Sequence, residues 1–200
     1  MRLVVATRNA GKLKEIKKLL APLGVHAEGL AELDCTLDVV EDGDSFAANA
    51  RKKATEIAAL TGRLTLADDS GLVVDALAGE PGIYSARYAG AGSSDADNNA
   101  RLLRELTGVP AERRTAAFVC AMALADADGH CREFSGRLAG RILEAARGAE
   151  GFGYDPLFLV AEYGKTLAEL PLEIKNRISH RGSALRQIIA AIAADGSSGM

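Results

Sequence analysis

Apolar positions recur along this chain with two periods, and each period predicts a kind of element. Leu13, Ile16, Leu19, Leu20 and Leu23 fall at helical spacing, and a short apolar run from Leu3 to Ala6 precedes them. The polar stretch "TRNAGK", Thr7 to Lys12, separates the two, so the order is strand, polar loop, helix. "LDVVEDGDS" follows and predicts a short strand closing on an acidic turn at Glu41. A helix comes next, with Asp44 or Ser45 as its cap, Phe46, Ala50, Ala54 and Ile57 as its apolar stripe, and Gly62 as its stop. Leu64 to Ala67 reads as a strand that ends where "DDSGL" begins.

Beyond that point "PGIYSARYAG" is punctuated like a loop, and "DADNNARLLRELTG" predicts a helix capped by Asp95 or Asp97 and stopped by Gly108. "TAAFVCAMALAD" and "CREFSGRLAGRIL" predict two long strands paired across a hairpin turn at Asp126–Gly129. "GFGYDP" is a turn, "LFLV" a short strand, "KNRISHRGS" a polar loop, and "SALRQIIAAIAA" an amphipathic helix. There is no internal repeat or linker. The expectation is α/β with mixed strand directions, one domain over residues 1–195, and a flexible tail over 196–200.

The bulk numbers narrow the class. A chain of 200 residues with 48% hydrophobic content suffices for one well-buried core. Charged residues make up 26% and the formal net charge is −3, which argues against a general nucleic-acid binder. An acidic chain that handles an anionic ligand must concentrate its lysines and arginines locally. No apolar stretch approaches the roughly 20 residues of a membrane span. The start, "MRLVVATRNAGKLKEI", turns polar too early for a signal peptide, so a cytoplasmic protein is expected. Cys35, Cys120 and Cys131 show no CxxC spacing and read as reduced thiols, buried or half-buried. His26, His130 and His180 form no metal-ligand motif, and His130-Cys131 alone does not make a zinc site.

Chemistry gathers at the loops. "TRNAGK" ends in Gly-Lys before a helix, yet it is not a P-loop: Ala6 and Leu13 stand where that motif needs Gly and Ser or Thr. The physical logic remains, because a helix N-terminus offers unpaired N–H groups, Thr7 and Asn9 add short donors, and Lys12 adds a cation. An anion site and a plain capping loop both satisfy this stretch. Asp68 and Asp69 place two like charges side by side. At about 4 Å they would repel by roughly 1 kcal/mol in water and about 4 kcal/mol at an effective dielectric of 20. Three arrangements relieve this: a bound cation, a raised pKa on one partner, or side chains on opposite faces of a strand. Glu41 supplies a further acid, and Mg²⁺ typically takes one or two carboxylates plus substrate phosphates. Asn49 and Lys53 share one flank of the helix that follows Glu41, while Arg51 and Lys52 point elsewhere. Phe152, between two glycines, is placed to stack on a flat ligand or to sit in a core; Lys175, His180 and Arg181 are read as polar-loop residues.

Taken in order, "TRNAGK", Glu41 before a capped helix with "NARKKA", "ADDSGL", "PGIYSARYAG", "GFGYDP" and "SHRG" resemble the inosine triphosphate pyrophosphatase family. The resemblance runs from Thr7 to the last helix, and "ADDSGL", "PGIYSARY" and "SHRG" are its most specific pieces. Arg8 stands where relatives often have Gly or Ser, a departure expected to matter little.

The resemblance implies an enzyme that hydrolyses non-standard purine nucleoside triphosphates (ITP, dITP, XTP) to the monophosphate and pyrophosphate. It implies an elongated mixed β-sheet flanked by helices, two lobes around a substrate cleft, and a cytoplasmic homodimer that needs neither nucleic acid nor membrane. By position, Thr7, Arg8, Asn9, Ala10, Gly11, Lys12 and Lys53 would hold the triphosphate, and Ser70 would touch the substrate. Glu41 and Asp69, with Asp68 close by, would hold Mg²⁺, and Asp69 would accept the proton of the attacking water. Phe152, Gly153, Tyr154, Asp155, Lys175, His180 and Arg181 would surround the base. A 6-keto purine then finds donors where adenine would leave them unpaired. A pyrophosphatase for other bases and a nucleotide sensor that does not hydrolyse its ligand are the rival readings.

Overall fold

Among the described residues seven strands share one sheet in the order β2-β1-β3-β4-β5-β6-β7. They are β1 (Arg2–Val5), β2 (His26–Gly29), β3 (Thr65–Val74), β4 (Thr115–Ala125), β5 (Cys131–Ile142), β6 (Phe158–Val160) and β7 (Lys165–Thr166). The helices are α1 (Ala10–Leu20), α2 (Phe46–Thr61), α3 (Asp95–Glu105), α4 (Leu172–Ile178) and α5 (His180–Ser197). Strand β1 runs parallel to both β2 and β3, while β6 runs antiparallel to β5 and β7, so the sheet is mixed as expected. The computed structural model describes residues 1–33, 35 and 37–197. The end of the expected tail, residues 198–200, lies outside the described residues.

The chain divides into two compact units. The first comprises Met1–Asp69, Cys120–Gly136 and the chain from Arg181 on; the second comprises Ser70–Val119 and Arg137–His180. In the first unit the period of two along β1 and β3 is buried on both faces, the pattern of a central parallel strand. Leu3, Val5 and Leu66 join Ile16 and Leu20 of α1 and Leu185 and Ile188 of α5. Val4, Ala6 and Ala67 join Ala50, Ala54, Ile57 and Ala58 of α2. The small side chains of α2 let that helix lie close to the strands. Its ends match the sequence signals: the Ser45 hydroxyl accepts from the Ala48 amide, and Gly62 closes the helix at φ 64°.

In the second unit Leu72, Val74, Leu102, Leu106, Ile142, Tyr154, Leu157 and Phe158 form the core. Phe118 packs on Phe158 with ring centroids 4.7 Å apart. Helix α3 starts with a capping box: the Ser94 hydroxyl accepts from the Asp97 amide, and the Asp97 carboxylate accepts from the Ser94 amide. Gly71, in β3, lies directly under Ser85 and the Gly82 carbonyl, where any side chain would collide.

Three expectations need correction. The residues from Leu37 to Asp44 form no strand; Val40 is 67% exposed and the segment is an extended loop. β-branched residues favour a strand only when a neighbour pairs with it. Strand β3 does not stop at Ala67 but continues to Val74, so Asp68 and Asp69 lie in mid-strand. "KNRISHRGS" is not a solvated loop: Lys175 and Asn176 lie in α4, His180 and Arg181 open α5, and all four are buried. Polarity does not mean exposure here, because ion pairing keeps Lys175 and Arg181 inside.

Candidate active site

Mid-strand placement sends adjacent side chains to opposite faces of β3. Of the three ways to relieve the Asp68–Asp69 repulsion, this is the one the geometry adopts, together with a shifted pKa on each residue.

Asp68 faces α1 and α5. Lys12 Nζ lies 2.5 Å from its Oδ1, the Arg181 Nε donates to its Oδ2 at 3.3 Å, and the Cys120 thiol donates to the same oxygen at 3.0 Å. The Arg181 guanidinium also pairs with Glu15 of α1. Glu15, Asp68, Cys120 and Arg181 are buried, and the Lys12 side chain is nearly so. Burial alone would raise the Asp68 carboxyl, but Lys12 and Arg181 outweigh it and hold the group well below the ordinary range. This is a charge-balanced cluster of two acids and two cations.

Asp69 faces α2. Its Oδ2 accepts from the Asn49 Nδ2 at 3.0 Å, and Lys53 Nζ stands 4.0 Å from its Oδ1. The same ammonium lies 2.5 Å from Glu41 Oε1 and donates to the Asp68 backbone carbonyl at 2.7 Å. The Asn49 Oδ1 accepts from the Gly43 amide at 2.8 Å, so one buried side chain ties the loop after Glu41 to Asp69. Burial pushes the Asp69 carboxyl above the ordinary carboxylate range; Lys53 and Lys12 oppose the rise and Glu41 adds to it. Two neighbouring carboxyls are therefore shifted in opposite directions, the usual sign of two different tasks.

Glu41 and Asp69 suit a hard divalent ion. Both offer oxygen, they come from separate segments, and a cation, the Lys53 ammonium, already lies between them. Asp68 is engaged by Lys12 and Arg181 on the other face of the strand. A third acidic group, Asp126, Asp128 and His130, sits on the turn between β4 and β5. Asp126 there accepts from the Asp128 and His130 amides and pairs with the His130 ring, contacts that close the turn.

The loop before α1 does two jobs. Asn9 caps the helix by accepting from the Lys12 amide at 3.0 Å, and its own amide donates to Thr7 Oγ1 at 3.2 Å. Ala10 and Gly11 form the first turn. Arg8 has more contacts than its expected minor role implied. Its guanidinium donates to the Cys35 and Leu37 carbonyls at 3.0 and 3.2 Å and lies 3.7 Å from the Asp38 carboxylate. Ser70 follows Asp69 on β3 and is half-buried.

In the second unit the "GFGYDP" turn is tightly held. The Phe152 amide donates to Asp155 Oδ2 at 2.9 Å, and Lys175 Nζ donates to the same oxygen at 2.6 Å. Lys175 also stands 4.9 Å from the centroid of the half-buried Phe152 ring, within cation–π range. The Tyr154 hydroxyl donates to the Ser85 carbonyl at 2.8 Å, and burial pushes its pKa up. His180 lies flat on Phe118, 5.0 Å between centroids and 11° between planes. Thus Phe152, Asp155 and Lys175 come together, Tyr154 serves the core, and Arg181 belongs to the Asp68 cluster.

The Ham1 family model matches residues 3–191. The chain belongs to the Ham1 family. Among its relatives this Ham1-family chain is 58% identical over 184 residues to a dITP/XTP pyrophosphatase of Geobacter sulfurreducens, covering 92% of each chain. It is 52% identical to a dITP/XTP pyrophosphatase of Desulforamulus reducens, covering 94% of this chain and 93% of that one. The Staphylococcus aureus Ham1 protein superposes with a TM-score of 0.86 at 39% identity, covering 98% of this chain and 100% of the other. A HAM1 protein of Coxiella burnetii superposes at 0.87 and 38% identity, covering 97% and 99%. Two partners of this Ham1-family site escape a sequence reading. Glu15 falls three residues after Lys12 on one helix face, a spacing that would have revealed it, whereas nothing local points to Cys120.

Proposed function

We propose that this protein hydrolyses non-standard purine nucleoside triphosphates, dITP, ITP and XTP, to the monophosphate and pyrophosphate. The names of its relatives support the reaction class and substrates. The observation that carries the reading is Asp69: buried, raised in pKa, and flanked by Glu41 and Lys53. A buried carboxyl with a raised pKa is a stronger base than one in water, and the proton it takes from an attacking water is held where it is accepted.

The remaining roles follow from charge. A triphosphate carries about four negative charges, so bare carboxylates would repel it; Glu41 and Asp69 would hold Mg²⁺, which supplies charge neutralisation and polarises phosphorus. Lys53 leaves its bridging position to neutralise phosphate oxygens, and Lys12, held by Asp68, does the same at the α1 N-terminus, where the backbone amides add a partial positive charge. Thr7, Arg8, Asn9, Ala10, Gly11 and Ser70 line the triphosphate. Phe152 stacks on the base, and Lys175, positioned by Asp155, donates to the 6-keto oxygen, with Gly153, Tyr154 and His180 around it. A cytoplasmic homodimer belongs to the same reading. Among the described residues no helix is long and apolar enough to cross a membrane.

Pyrophosphate release from dITP, XTP and dATP, each with Mg²⁺ and with chelator, tests the proposal. The expected result is rapid release from dITP and XTP, slow release from dATP and none with chelator; equal rates for all three would replace a base-selective enzyme with a general one. Phe152→Ala should raise KM for ITP about five- to 150-fold, the equivalent of ~1–3 kcal/mol, by analogy with base–aromatic stacking. Steady-state kinetics checks this, and an unchanged KM returns Phe152 to a packing role.

A further inference from the structure

Helix α3 grips one residue of the Phe152 turn from both sides. Asp95 and Asn99 stand one helical turn apart and face the same way. The Gly153 amide donates to Asp95 Oδ2 at 2.6 Å, and the Asn99 Nδ2 donates to the Gly153 carbonyl at 2.9 Å. Gly153 sits at φ 61°, a left-handed conformation, so its amide and carbonyl are aimed by the backbone and then fixed by the helix. Among the described residues the buried Asn99 Oδ1 has no hydrogen-bond partner, so the bond to the Gly153 carbonyl orients the amide. On the other side of the turn, Asp155 holds the Phe152 amide and Lys175. Phe152, between these two anchorages, is half-buried.

We infer that Asp95 and Asn99 are positioning residues for base recognition: α3 sets the orientation of the Phe152 ring by clamping Gly153. The inference rests on Phe152 stacking on the purine, as proposed above. Neither residue is needed for the core of the unit. Asp95 is exposed and Asn99 half-buried, and the helix already has its own cap in Ser94 and Asp97. Their contacts to Gly153 are therefore additional to what holds the helix in place. Freeing Gly153 lets the turn and the ring sample other orientations. Substrate then has to order a loop that is now pre-ordered, which weakens binding and leaves the chemistry at Asp69 alone.

The test is a kinetic and spectroscopic comparison of wild type, Asp95→Ala, Asp95→Asn, Phe152→Ala and the Asp95→Ala/Phe152→Ala double variant with ITP and Mg²⁺. Asp95→Ala should raise KM by roughly three- to tenfold with kcat within about twofold of wild type. Asp95→Asn keeps an acceptor for the Gly153 amide and should restore KM to within about twofold. In the Phe152→Ala background the Asp95 change should add almost nothing, because the clamp acts through that ring. In ¹⁵N-labelled protein the Gly153 and Phe152 amide resonances should move in Asp95→Ala and return in Asp95→Asn. Additive effects of Asp95→Ala and Phe152→Ala, or unmoved amide resonances, would overturn the inference. A wild type that releases no pyrophosphate from any purine triphosphate would sink the functional reading instead, and the resonance comparison would still decide the clamp.

Discussion

Asp69→Asn is expected to leave the protein folded and its turnover from ITP lower by about a hundred- to ten-thousandfold, the range for removing a general base. Asparagine is the same size and keeps an oxygen to accept from Asn49, so the geometry around it survives. It cannot take a proton or carry the charge that a divalent ion needs. The variant should also be no less stable than wild type. Burial raises the Asp69 pKa, so in the folded state the ionised form is disfavoured, and a neutral replacement removes that penalty. Measuring kcat with saturating Mg²⁺ and the thermal midpoint together checks both halves. Near-normal kcat would take Asp69 out of the mechanism.

Asp68→Asn, one residue away, is expected to do the reverse to the fold. Its carboxylate balances Lys12 and Arg181, and Arg181 is itself buried against Glu15. Removing one partner of a buried ion pair leaves an uncompensated charge, which costs about 3–5 kcal/mol. For a chain of this size that lowers the midpoint by on the order of 10 °C. The pH dependence follows from the sign of the shift. The folded pKa of Asp68 lies well below its unfolded value, so its contribution is present above the unfolded pKa of about 3.9 and fades as pH falls toward the folded pKa. Acid titration of stability should show this limb in wild type and lack it in Asp68→Asn. A variant as stable as wild type at pH 7 would mean that Lys12 and Arg181 find other counter-charges.

The opposite fates expected of these neighbours rest on a detail that sequence patterning half reveals. Helical spacing places α1, α2 and the last helix, and long apolar or alternating runs place the β4–β5 pair, because all of these stripes are long. The pattern does not show β2 (HAEG) or β7 (KT): β1 and β6 are as short but apolar, whereas these two carry no apolar run. Two aspartates look like a boundary to water, yet β3 runs through them to Val74. In this fold each finds its cations inside, so the strand runs on. Lys175, His180 and Arg181 look like loop residues for the same reason, yet they lie buried in α4 and α5. The two valines before Glu41 suggest a strand, whereas a loop carries it. Pairing partners distant in sequence decide all of these cases, and local composition does not encode them.

Cys120 has a practical consequence. Its thiol is fully enclosed beside Asp68, and burial together with that carboxylate raises its pKa well above the ordinary value, whereas Cys35 and Cys131 are half-buried. Alkylating reagents attack thiolates, so in native protein Cys120 should stay unmodified long after the other two have reacted. Its labelling rate then reports how often the interior around residue 68 opens to solvent, without any introduced probe.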